Sequence, residues 1–157
     1  MSAPPASIEV QTAELERYLH SHIPLSKAMG VTVLSIEADA LVLRAPLHAN
    51  INHHLTVFGG SASAVAILAA WSLLHTRLQR EGVANRLVIR HNTMAYEQPM
   101  LGDFTAHAAL AEPARWPAFI EMLARKGKAR ISVASVLACE GQAAGRLNGE
   151  FVALAGA

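Results

Sequence analysis

Charge is scarce in this sequence: Asp, Glu, Lys and Arg make up 16% of its 157 residues, and the formal net charge is +1. So neutral a chain offers no field for a polyanion, which excludes nucleic acid as an expected partner. Nor is it polar enough to stay disordered. Cysteine occurs once, as Cys139 inside ISVASVLAC, so an internal disulfide is excluded and a buried thiol in a reducing, cytoplasmic setting is expected. No apolar run approaches the ~20 residues of a membrane span. The opening MSAPPASIEV lacks the basic start and apolar core of a signal peptide. Of the 8 histidines none forms HxxxH or HExxH, so no metal site is expected. One further absence is local: between Asp39 and Glu81 there is no carboxylate at all.

What is abundant is apolar surface, at 52% of residues. A chain of this length forms one domain that buries about two thirds of its unfolded surface. The excess implies an unusually enclosed central element, a face covered by another subunit, or both. Residues 1–11, rich in Pro, Ala and Ser, read as a loose arm, and 12–157 as the domain. TAELERYLHSH places Leu15, Tyr18, Leu19 and His22 on one helical stripe, with Thr12 as N-cap and Pro24 ending the run. PLSKAMG adds one or two helical turns closed by Gly30. Val31 to Glu37 and Leu41 to Leu47 alternate as an antiparallel hairpin. From Ser61 to about Arg80 the Ala and Leu content predicts a helix that Gly82 stops. From Ala62 to Leu74 its only polar side chains are Ser63 and Ser72, so it must be surrounded rather than laid on a surface.

The second half is strand-rich. Arg86 to Glu97, Asp103 to Leu110, Ala129 to Ala138 and Ala143 to Ala153 are separated by QPMLGD, by a short amphipathic helix in PARWPAFIEMLARKG, and by EGQAAG. The fold class is therefore α+β: a curved antiparallel sheet wrapped around a long apolar helix, the hotdog arrangement. Such a sheet leaves a strand edge free, and pairing two edges predicts a homodimer, with a dimer of dimers as a further step.

The residues between the hairpin and the long helix, NINHHLTVFGGS, together with IPLSKAMG, MAYEQPMLGDFTA and ARKGKARISV, give the chain its resemblance. It resembles the hotdog-fold thioesterases, in particular the branch also found fused behind acetyltransferase domains. In those relatives Asn stands six residues before a His-Gly-Gly. Here Asn52 matches, Phe58 replaces the histidine, and Gly59 and Gly60 follow. The relatives also carry an acid nine residues past that histidine, where this chain has Ile67. The resemblance implies hydrolysis of an acyl thioester on coenzyme A or acyl carrier protein, with no further cofactor, at a site shared across a homodimer. It implies that the amides of Gly60 and Ser61 polarise the carbonyl and that Asn52 places the water, helped by His53 or His91. Phe58, Gly59, Ser63, Asn92, Thr93 and Tyr96 would line the substrate site.

Each assignment has a plainer counterpart. The two glycines could serve a tight turn, Asn52 an Asx-turn, and Ser61 a helix cap. His53 and His54 are adjacent, so in an extended loop they point different ways and at most one enters the site. His91, Asn92 and Thr93 sit oddly in mid-strand, where they line a pocket or face solvent. Glu97 and Asp103 are the nearest carboxylates. Arg125, Lys126, Lys128 and Arg130 could receive coenzyme A phosphates or form a solvated helix end. A non-catalytic acyl-thioester binding domain is the competing function, and a dehydratase or hydratase on the same fold a third.

Overall fold

A computed structural model describes residues 7–156. Helix α1 (Ile8–His22) begins four residues ahead of the expected Thr12. Its N-cap is Ser7, whose Oγ accepts from Val10 N at 3.3 Å, and Glu9 in the first turn complements the helix dipole. Thr12 instead donates its hydroxyl to Glu9 O. The boundary drawn at residue 11 is thus too late: residues 8–11 are helical, and 1–6 lie outside the described residues. Helix α2 (Pro24–Ala28) has Pro24 in its first turn, where a missing N–H costs nothing, and Gly30 leaves it at φ +68°.

Strands β1 (Thr32–Ile36) and β2 (Ala40–Ala45) form the expected hairpin. Helix α3 (Gly59–Arg80) then runs through the molecule and ends before Gly82 at φ +69°. After it come β3 (Asn85–Tyr96), β4 (Phe104–Leu110), a 3-10 turn at Pro113–Arg115, α4 (Trp116–Lys126), β5 (Lys128–Cys139) and β6 (Gln142–Ala155). The six strands form one antiparallel sheet in the order β1-β2-β4-β5-β6-β3. Its inner face alternates with burial, as in β4, where Phe104, Ala106, Ala108 and Leu110 point inward.

Helix α3 packs against every strand from β2 to β6. Its buried residues include Val65, Ala66, Ala69, Leu73, Leu74 and Leu78, which join the sheet's inner face in one core. The enclosure is incomplete: Ala64, Ile67, Trp71 and His75, spaced three and four residues apart, form a half-buried stripe. Near its C-terminal end that stripe meets α1 through stacked rings, Tyr18 on His75 at 4.8 Å, Tyr18 on His22 at 4.1 Å and Trp71 on His75 at 4.6 Å. The Trp71 indole N–H donates to Leu87 O on β3. Strand β3 is an edge strand 12 residues long, with Val88 and Ile89 exposed.

Strict alternation puts Ile89, His91 and Thr93 on one face of β3, and the structure corrects this. A bulge between Ile89 and His91 shifts the register against β6: Ile89 stands opposite the buried Phe151, but His91 stands opposite Glu150. The additional residue, Arg90, turns outward to Glu150 at 2.7 Å. Beyond the bulge Asn92, Met94 and Tyr96, opposite the buried Gly149, Leu147 and Gly145, face the helix. His91 and Thr93, opposite Glu150 and the exposed Asn148, face away.

Candidate functional site at the start of the central helix

The loop into α3 is held by two asparagines. Asn50 is buried, and its Nδ2 donates to Met29 O and Pro46 O at 2.9 and 2.7 Å. Its backbone carbonyl accepts from Phe58 N at 2.7 Å, which fixes where the helix begins. Asn52 closes the five-residue turn that follows. Its Oδ1 accepts from the amides of His54 and Thr56 at 2.9 and 3.1 Å, and its Nδ2 donates to Thr56 Oγ1 at 3.0 Å. Both ends of that side chain are therefore engaged within the loop, in the Asx-turn role rather than in holding a water. Because the turn curls the chain, the rings of His53 and His54 do not diverge. Their centroids lie 3.8 Å apart, and both residues are exposed.

Helix α3 has Phe58 as N-cap, and no side chain caps it. Ser61 is the third residue of the helix, so it is not the cap. The amide of Ala62 bonds to Phe58 O, whereas those of Gly59, Gly60 and Ser61 have no acceptor among the described residues. Three free donors thus collect at the positive end of a 22-residue helix dipole. Neither glycine has a positive φ, so the backbone does not require glycine at either position. The requirement comes from what lies over them. The Tyr96 ring is 3.5 Å from where a Cβ on Gly59 would sit, and a Cβ on Gly60 would overlap the Phe58 ring. Phe58 and Tyr96 are 57% and 61% exposed, so the two glycines lie between two rings open to solvent.

Beside these amides lies a cavity of about 330 Å³. Gly59 and Ala62 of α3, Met94 and Tyr96 of β3, and Leu137 and Ala144 of the neighbouring strands line it. Glu97 and Gln98 stand at its rim. Glu97 is the one carboxylate among the lining residues, and Arg146 Nε donates to its Oε1 at 3.1 Å. Asp103 is occupied elsewhere, bonded to Arg44 and to Leu47 N.

The structure therefore gathers Gly59 and Tyr96 of the expected residues around the cavity, with Gly60, Ser61 and Phe58 adjoining along the chain. Asn92 is half-buried on the helix side of β3, without a side-chain hydrogen bond among the described residues. Ser63 is half-buried on α3. His53, His91 and Thr93 do not line the cavity. Glu97 was visible in the sequence as a nearby carboxylate, but Gln98 gave no signal there. Arg125, Lys126, Lys128 and Arg130 cluster at the far end of β5 from Leu137, roughly 30 Å away along the strand. No three metal-ligating side chains come together, and no helix is long and apolar enough to cross a membrane, among the described residues.

At the opposite end of α3, under α1, burial pushes the pKa of His75 below its ordinary 6.5, and the nearby His22 adds to the shift. His75 belongs to a separate hollow of about 470 Å³, which also takes in Tyr18, Glu14 and Arg80.

Comparison with known proteins places the fold. Residues 12–155 match the family described as "Putative thioesterase (yiiD_Cterm)". The chain is similar to a protein of unknown function from Chlorobaculum tepidum TLS, at 29% identity and TM-score 0.88, covering 96% of this chain and 98% of that one. It is also similar to a "putative thioesterase" from Shewanella oneidensis, at 24% identity and TM-score 0.83, over 94% and 99% of the two chains. A thioesterase from Haemophilus influenzae shares the fold at 12% identity and TM-score 0.72, over 97% and 93%.

Proposed function

The chain belongs to the family described as "Putative thioesterase (yiiD_Cterm)", with the hotdog fold, and from that premise we propose that it hydrolyses an acyl thioester carried on coenzyme A or acyl carrier protein. The observation that carries the reading is the set of unpaired amides of Gly59, Gly60 and Ser61 at a helix start whose Gly59 and Ala62 line a cavity. Thioester hydrolysis needs donors where the carbonyl oxygen becomes negative, and such preorganised amides supply them without reorganisation.

In this proposal the thioester carbonyl oxygen sits on those amides, between the rings of Phe58 and Tyr96. Water adds to the carbonyl carbon while Glu97, positioned by Arg146, takes its proton. The C–S bond then breaks, and the proton passes to the departing thiolate, leaving a carboxylic acid and a thiol. With Ile67 where relatives carry an acid, Glu97 at the rim is the group that supplies the base. Asn52 acts as a positioning residue, holding the loop that sets the helix start. No cofactor enters.

We further propose that two copies pair through β3, the long free edge of the sheet, to form a homodimer. Antiparallel pairing brings the start of one β3 beside the end of the other. The basic segment of Arg125 to Arg130 in the second copy then approaches the cavity mouth, where coenzyme A phosphates would lie.

The test is thiol release from a panel of acyl-CoA esters, with wild-type protein and Glu97→Gln at matched thermal stability. Turnover that falls by about a hundredfold in the variant supports the mechanism. Tight acyl-CoA binding without thiol release in the wild type would instead establish a binding domain.

A further inference from the structure

The cavity beside Gly59 is zoned. Val57, Ala62, Met100, Leu137 and Ala144 form its floor, each no more than 8% exposed, and none carries a hydrogen-bonding side chain. Polar groups are confined to the rim, at Tyr96, Glu97 and Gln98. A carbonyl held on the helix amides has two substituents to place. The sulfur arm, polar along its length, suits the solvent side. The acyl tail has the floor.

A hydroxyl or second carboxylate on that tail would be buried without a partner, a loss the floor cannot offset. Length follows from volume. A dry void of about 150 Å³ accommodates benzene, with its six carbons. A cavity of about 330 Å³ therefore holds roughly a dozen carbons. Resting on the thioester reading above, we infer that the substrate acyl group is an unsubstituted medium-length chain of about eight to twelve carbons, its length limited by Ala62 and Ala144.

These two alanines are the smallest side chains on opposing walls, one from α3 and one from β6. Any larger residue at either place subtracts from the floor. The third wall is adjustable. Met94 reaches over Gly145, where a Cβ would lie 3.1 Å from Met94 Cε. Its unbranched thioether can shift as the tail enters.

The experiment is a chain-length profile over saturated acyl-CoA esters from four to sixteen carbons, for the wild type, Ala144→Leu and Met94→Ala, with thermal melts to confirm folding. For the wild type, kcat/KM rises by about fourfold per methylene until the floor is filled, then levels between eight and twelve carbons. Ala144→Leu shifts the optimum about three carbons shorter, the volume that it adds, and Met94→Ala shifts it longer. An optimum at four carbons or at sixteen, a preference for hydroxyacyl esters, or a profile that neither variant moves would overturn the inference. The same series of non-hydrolysable acyl thioethers, measured by calorimetry, separates the two claims. Length-dependent binding that the variants shift, with no thiol released from the esters, retains the tail assignment and removes the hydrolase. Thiol release with a flat profile does the reverse.

Discussion

Gly60→Ala adds one methyl group where the nearest atoms belong to Phe58, overlapping its Cε2 and lying 2.9 Å from its Cζ. Something must move, and the ring is the part that can, because Phe58 is 57% exposed. The backbone raises no objection, since Gly60 does not use the left-handed region. Alanine is the better helix former, by up to about 1 kcal/mol in a helix interior and less in a first turn. Stability should thus be unchanged or slightly raised. Catalysis should not survive so well. The methyl group and the displaced ring both intrude on the amides that receive the carbonyl oxygen, and loss of one such donor costs about 3 kcal/mol, or roughly a hundredfold or more in kcat. The assay is paired: a thermal melt within about 2 °C of wild type, and thiol release reduced by that factor. Phe58→Ala and the double variant complete a cycle that separates ring displacement from direct obstruction. Full activity in Gly60→Ala, with an unchanged melt, would refute the view that these amides act on substrate and would return the glycines to a packing role.

Asn52→Ala removes the acceptor of two loop amides; a loss of about 1–2 kcal/mol, lowering Tm by roughly 3–6 °C, is expected, with Asn52→Asp recovering most of it. His75 has its folded pKa lowered, so the unfolded chain binds the proton more readily. Its contribution is therefore complete above pH 6.5 and is lost as pH falls from there toward the folded pKa. Melts should drop on acidification below pH 6.5, and His75→Phe should flatten that dependence while keeping the stack on Tyr18 and Trp71; a parallel slope in the variant would count against it. Sedimentation at micromolar concentration should give a dimer, and a monomer would dispose of pairing through β3.

Much of this architecture was legible because its signals are local. Period-two alternation located every strand within two residues, and Gly82 and Gly127, at φ +69° and +71°, end α3 and α4 as Gly placement predicts. The apolar stretch from Ala62 to Leu74 declared a central helix, although its half-open stripe depends on how far the sheet reaches around it. The site was harder to read. Asn52 matches the family's asparagine in sequence, yet its amide is spent on its own turn, which only the bonds to His54 and Thr56 reveal. The bulge at Arg90 carries no glycine or proline to announce it, so alternation carried past it assigns His91 to the wrong neighbours. A cavity assembled from α3, β3, β5 and β6 has no sequence signature at all.

That unmarked residue has a consequence for how such strands change over time. Deleting Arg90 would close the bulge and leave every later pairing as it is, but taking Arg90 into the ladder opposite Glu150 would slip the rest of β3 by one place and turn it over. His91, Thr93 and Ala95 would then look toward the helix, while Asn92, Met94 and Tyr96 would look outward. A binding chamber walled by thioether and phenol would become one walled by imidazole and hydroxyl, with no side chain substituted. The opening or closing of one bulge, rather than a substitution in the wall, is thus a direct route by which this scaffold can exchange one chemistry for another.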